Sequence, residues 1–248
     1  MNIKINKEQA DYLFEHEFKR NRTTVGSHMY GTQRSDSDKD ILITYYNVLE
    51  KIELVYNSRH QFQYDDKENN IQYIFTTYRQ FWQNLLSGDS TINADYIMWG
   101  NDSEDEITNE ISEDEALNIV RTYNIIKAYL GFAKRDIKDL KQGKGKNKNF
   151  HIQRGLYCAE CLLHNKLPQT ENLQAINITS QPSVSFSIDS LERREKNLRI
   201  ECNNLFNIGE LTMYPKLPIE GLFLGEGVSK ELIDLYINSL NIKEFHYD

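Results

Sequence analysis

From Tyr78 to Leu86 the apolar residues Tyr78, Phe81, Trp82, Leu85 and Leu86 fall at i, i+3, i+4, i+7 and i+8. That spacing lays them on one helical face, and Gly88 marks the stop. A similar period predicts a helix over residues 7–20, through Ala10, Leu13, Phe14 and Phe18, and further helices over 116–140, 149–165, 190–205 and 230–240. Between the first two helices the pattern changes to short β-branched and aromatic runs. These predict strands at 23–25, 41–46, 52–56, 61–64 and 71–76, with the polar cluster 65–70 as a hairpin turn. The acidic stretch 101–115 reads as a boundary or solvated loop, and 141–149 as a basic, glycine-containing loop. Strands thus come first and helices later. The order predicts an α+β chain: a mixed β-sheet with flanking helices over 1–112, then a mainly helical C-terminal domain over 113–248.

Composition narrows the function classes. A length of 248 residues supports a full hydrophobic core. A net charge of −8 excludes uniform attraction to nucleic acid, so any such contact needs a local basic patch such as the loop at 141–149. No run of eighteen apolar residues exists, so no transmembrane helix and no membrane partner is expected. The first nineteen residues lack an apolar signal core, and three cysteines make no disulfide framework; both point to a cytoplasmic protein. Cys158, Cys161 and His164 have spacing that a zinc ion accepts, but the leucines around them favour a core helix.

One stretch carries chemistry: Val25-Gly26-Ser27-His28-Met29-Tyr30-Gly31-Thr32-Gln33-Arg34-Ser35-Asp36-Ser37-Asp38-Lys39-Asp40-Ile41. A strand ends in Gly26-Ser27, where a missing Cβ lets a ligand approach and a hydroxyl joins backbone N–H groups in a phosphate cradle. Asp38 and Asp40 then open a strand, two residues apart and so on one face. Two such carboxylates repel each other, and a hard divalent cation with oxygen ligands relieves the repulsion. Cradle plus paired acids suggests metal-dependent phosphoryl or nucleotidyl transfer.

The string resembles the signature of the DNA polymerase β-like nucleotidyltransferase superfamily: an apolar residue, Gly-Ser, a spacer with a second Gly, then Ser-Asp-x-Asp-apolar. Here these are Val25, Gly26, Ser27, Gly31, Ser37, Asp38, Lys39, Asp40 and Ile41, with twelve positions from Gly26 to Asp38. Gly-Ser-x-x-Tyr-Gly-Thr is similar to a bacterial and phage branch of predicted nucleotidyltransferases, some linked to RNA repair. In that branch the helix like 78–82, an acid near Asp95 and segments like 130–135 and 148–167 follow. The resemblance implies a nucleotidyltransferase-type sheet. It also implies an enzyme moving an NMP from an NTP to an RNA or tRNA end, a nucleotide or a protein hydroxyl, by two-metal catalysis with Mg2+ (or Mn2+). Asp38 and Asp40 are then catalytic metal ligands, and Gly26 and Ser27 hold phosphate. Arg34 suits a triphosphate by charge-assisted hydrogen bonds. Lys148, His151 and Arg154, at i, i+3 and i+6, are expected to form a cationic wall for the nucleotide.

Two positions depart from the family pattern. The third carboxylate normally sits on a neighbouring strand, and 70–75 holds no acid; Glu53, Asp65, Asp66 and Glu68 are the substitutes at hand. Lys39 stands where an apolar residue is commoner. The alternative reading is a non-catalytic nucleotide-binding or interaction protein on a degenerate nucleotidyltransferase fold. A protein-modifying nucleotidyltransferase acting as an antitoxin is a further enzyme option.

Overall fold

A computed structural model describes residues 2–15, 20–33, 37–45, 61–100, 111–144, 148–180 and 187–215. The chain is α+β. Five strands, β1 (Asn2–Lys4), β2 (Arg20–Val25), β3 (Lys39–Tyr45), β4 (Gln61–Asp66) and β5 (Ile71–Thr77), form one mixed sheet in the order β1-β4-β5-β3-β2. β3 runs parallel to β5 and β1 to β4; the other pairs are antiparallel. Alternation along β3 divides its side chains between two cores. Ile41 and Ile43, with Phe75 of β5, pack under Ala10 of α1 (Lys7–Glu15), while Leu42 and Ile74 join the larger core on the other face.

That larger core is built with seven further helices: α2 (Tyr78–Ser87), α3 (Thr91–Trp99), α4 (Glu113–Val120), α5 (Tyr123–Lys141), α6 (Lys148–Leu163), α7 (Thr170–Thr179) and α8 (Ile188–Asn207). One continuous cluster runs from Val25 and Leu42 through Trp82 and Tyr129 to Leu198, so it crosses the boundary expected at residue 112 without a break. Among the described residues no helix is long and apolar enough to cross a membrane.

The α2 helix starts where its sequence says: Thr77 accepts from the Gln80 backbone and Gln80 answers in a capping box, and Gly88 closes the end at φ 70°. Elsewhere the structure corrects the pattern. The helix expected over 116–140 is two helices, because the Thr122 side chain accepts from Ile125 N–H and caps a new start. The end of the acidic stretch is helical as well. Ser112 and Glu115 form a capping box, and Glu113, Asp114 and Glu115 complement the positive end of α4. Asp65 and Asp66 belong to β4 and not to the turn, which is 67–70. α1 ends at Glu15, and β2 already begins at Arg20. The strand expected at 52–56 and the helix at 230–240 lie outside the described residues.

Candidate functional site

β2 ends at Val25 and the chain turns at once through a single 3-10 turn, Gly26–His28. Gly26 has φ +72°, and a Cβ there would stand 2.6 Å from Asp40 Oδ2. Glycine is required twice over, by the backbone angle and by the carboxylate packed against it. The loop closes on itself, since Thr32 N–H donates to the Ser27 carbonyl at 2.9 Å. Helix α7 holds it from above: Asn177 Nδ2 donates to the Thr32 carbonyl at 3.2 Å, and Gln174 lies against Gly31.

Val25 is in register with Asp40, so the turn and the acids meet at one end of the sheet. Asp38 is exposed and Asp40 half-buried. Both share the face of Leu42, towards the helices. Burial first, and then the charges of Asp38 and Asp65, push the Asp40 carboxyl up to about 6. A divalent cation held by the pair would reverse that rise. Mg2+ is commonly held by one or two carboxylates plus substrate phosphates, so the paired carboxylates, with Asp40 seated against Gly26, fit such an ion. Lys39, in register with Ile71, faces the α1 side and leaves the pair alone.

The neighbour of Asp40 on β5 is Gln72, and the next residue along the row, on β4, is Asp65. Asp65 is engaged: Lys4 Nζ and Gln63 Nε2 each donate to it at 2.7 Å, and these bonds pull its carboxyl below the usual range. Asp66 accepts from Asn69 in the adjoining turn, and Glu68 is exposed there. Glu53 lies outside the described residues. Among the described residues no group of three or more His, Cys, Asp or Glu is arranged to hold a metal.

Gly26, Ser27, Asp38 and Asp40 line a cleft of about 490 Å3 whose opposite wall comes from the helices, including Phe132 of α5 and His151 and Arg154 of α6. Arg154 is 6% exposed. Its Nη1 donates to Asp95 Oδ2 at 2.6 Å and to the Tyr30 hydroxyl at 3.0 Å. Tyr30 also donates to Asp95 Oδ2 at 2.7 Å, and Tyr129 to Asp95 Oδ1 at 2.5 Å. Burial works against the Arg154 charge, but the Asp95 carboxylate beside it holds the guanidinium protonated. The cation expected to serve phosphate alone is therefore the centre of a buried network, although its Nε is buried without a hydrogen-bond partner among the described residues.

The expectation for Lys148 needs correction. Its Nζ binds Asp136 at 2.8 Å and Asp139 at 2.9 Å on α5, and it is absent from the cleft lining. The reason is angular: six residues along a helix turn the side chain by roughly 120° from the start, so Lys148 and Arg154 do not share a face. His151 lies between them, exposed at the cleft. Arg34 lies outside the described residues. Cys158 is buried and its thiol is pushed well up by burial, while His164 Nδ1 meets the Glu160 carbonyl at 2.8 Å.

Spacing and period did not find the Asp95 network. The signal is an acid inside a stretch, 92–99, in which every other residue but Asn93 is apolar. No model of a known protein family matches the chain, and no curated protein matches it either.

Proposed function

We propose that the cleft binds a nucleoside triphosphate with Mg2+ (or Mn2+) and transfers its nucleoside monophosphate to an acceptor, releasing pyrophosphate. One observation carries the reading: Asp38 and Asp40 share a single cleft with the Gly26–Ser27 turn and with the buried cation Arg154. Acids alone would repel a triphosphate, and a cation alone would need no acid. Together they suit a polyphosphate that arrives with a divalent ion.

When bound at Asp38 and Asp40, the ion would neutralise phosphate charge and lower the pKa of an attacking hydroxyl. The chain's own residues do the rest. Gly26 leaves the room in which the Asp40 carboxylate packs against the turn, and Ser27 brings its hydroxyl to the same cleft. Arg154 is held in place by Asp95 and Tyr30, so its positive end is fixed before a ligand arrives. Asp40 must be ionised to bind the cation, and its metal-free carboxyl lies at about 6, so at limiting metal activity rises as pH rises through that value, and the rise moves to lower pH as the metal concentration increases. The acceptor is an RNA or tRNA end, a nucleotide or a protein hydroxyl.

A second reading has its own observation. Gln72 stands beside Asp40 on β5, and Asp65 is tied to Lys4 and Gln63. An amide at that position favours nucleotide binding without transfer. One experiment separates the two. The protein is incubated with each α-labelled NTP and Mg2+, with and without RNA, tRNA or protein acceptors, beside Asp38→Ala and Asp40→Ala. Label transferred by the wild type and lost in both variants supports the enzyme. Magnesium-dependent binding of NTP with no transfer supports the binding protein. Neither binding nor transfer removes both readings.

A further inference from the structure

The wall that α5 and α6 contribute to the cleft is aromatic. Arg154 marks where it begins: its guanidinium lies 5.2 Å from the centre of the Tyr30 ring and 5.5 Å from that of Phe132. Beyond Phe132 comes His151, its ring centre 6.1 Å away and nearly perpendicular, and then Phe150, 5.7 Å from His151. Ile92 of α3 lines the same cleft. Phe132 is half-buried and His151 exposed, so the wall presents ring surface to the opening.

A polyphosphate gains nothing from three rings and an isoleucine. A flat heteroaromatic does, because rings attract offset or edge-to-face neighbours and shed water on contact. The cleft thus has two unlike walls: Asp38, Asp40 and the glycine turn on the sheet side, and Arg154 with the rings on the helical side. A nucleotide has two unlike parts as well, charged at one end and aromatic at the other.

We infer that Phe132, His151 and Phe150 form a nucleobase subsite. The inference rests on the nucleotide reading above and adds where the base sits. It also changes the part played by His151, from a cation for phosphate to a ring against the base.

The test is calorimetry on the full chain with three probes: MgATP, magnesium tripolyphosphate, which has the phosphates but no base, and a short single-stranded RNA. The wild type is expected to bind MgATP more tightly than tripolyphosphate. Phe132→Ala and His151→Ala should each weaken MgATP about tenfold or more while leaving tripolyphosphate within about twofold, the usual effect of removing a stacking partner. His151→Phe, which keeps a ring and removes the basic nitrogens, should retain MgATP affinity. His151 is exposed, so its variants remain informative if Phe132→Ala does not fold. Equal wild-type affinity for MgATP and tripolyphosphate overturns the subsite and leaves the nucleotide reading standing. So does an equal loss of both ligands in His151→Ala, which makes His151 a phosphate contact. Loss of RNA binding with MgATP unchanged assigns the wall to the acceptor and overturns the inference. A wild type that binds neither MgATP nor tripolyphosphate removes the nucleotide reading, and the subsite with it.

Discussion

Two acidic sites line one cleft, and they follow opposite electrostatic rules. Asp95 is 1% exposed and receives three donors, the hydroxyls of Tyr30 and Tyr129 and the Arg154 guanidinium. Asp40 has another acid, Asp38, two residues away on the same face, and burial and that charge push its carboxyl up to about 6. A buried charge whose partners are complete holds the fold together. A pair of like charges at an open cleft is a standing cost to the fold, and a ligand cation turns that cost into affinity. Stability and function are therefore separable here, and mutations at the two sites should move them in different directions.

The largest effect is expected at Asp95. Asp95→Ala leaves the Arg154 charge buried without its carboxylate, and breaking one partner of a buried pair costs about 3–5 kcal/mol. Chemical denaturation should show the unfolding free energy falling by that amount, with the midpoint lowered in proportion. Arg154→Met should also destabilise strongly. The double variant should be less damaged than the sum of the singles, because neither charge is then stranded. Additive losses would show that the two residues do not act as a pair.

The next effect is at Gly26, which joins the two kinds of requirement. Gly26→Ala forces a side chain into positive φ, a cost of about 1–3 kcal/mol, and sets a Cβ against Asp40 Oδ2. Combining it with Asp40→Ala removes the contact but not the backbone cost. Thermal melts should thus show partial rescue in the double variant. Full rescue would mean that the backbone angle costs nothing; no rescue would mean that Asp40 moves aside freely.

Whether a feature was legible in the sequence depended on how far its partners lie along the chain. The string from Gly26 to Asp40 was readable because turn and acids are neighbours in sequence, and β2 and β3 pair directly. The α2 helix was readable because one face is apolar and Thr77, Gln80 and Gly88 mark its ends. Asp95 finds Arg154 59 positions away and Tyr30 65 positions away, which no local pattern records. α3 was missed because Asn93 to Met98 are all buried, so no polar face marks a helical stripe. α7 failed for the opposite reason: of its apolar residues Leu173, Ala175, Ile176 and Ile178 only Leu173 is buried, so they set out no core-facing stripe. Lys148 is not legible from i, i+3, i+6 spacing, which does not make one helical face, and its partners Asp136 and Asp139 sit on the preceding helix.

A smaller effect, with the sign reversed, is expected at Asp40. Its folded carboxyl titrates near 6, above the ordinary value of 3.8, so the folded state holds the proton more tightly than the unfolded chain. Stability is then highest below the unfolded value, declines as pH rises through 6, and levels off above it. Asp40→Asn removes this decline. At pH 7 to 8 it should stabilise the protein by on the order of 1 kcal/mol, discounted because the group is only partly buried. The gain should shrink as pH falls towards 4. Added Mg2+ should raise the wild-type melting temperature and leave Asp40→Asn unmoved. A variant less stable than the wild type at pH 8 would make Asp40 a structural residue like Asp95.

The smallest effect belongs to Lys148, and it draws the line between the two walls of α6. Its ammonium bonds to Asp136 and Asp139, which fastens the start of α6 to the end of α5. Its side chain is 25% exposed, whereas the Asp136 partner is only 3% exposed, so the pair is worth more than a fully solvated one and less than Arg154 with Asp95. Lys148→Met should therefore cost about 1 kcal/mol of stability. Its affinity for MgATP should stay within about twofold of wild type, because the charge lost already belongs to two carboxylates and none of it faces the cleft. Added salt should narrow the stability difference, since a partly exposed pair is screened. A tenfold loss of MgATP affinity in a folded Lys148→Met protein would return this residue to the nucleotide wall, and would mean that α6 turns when the cleft fills.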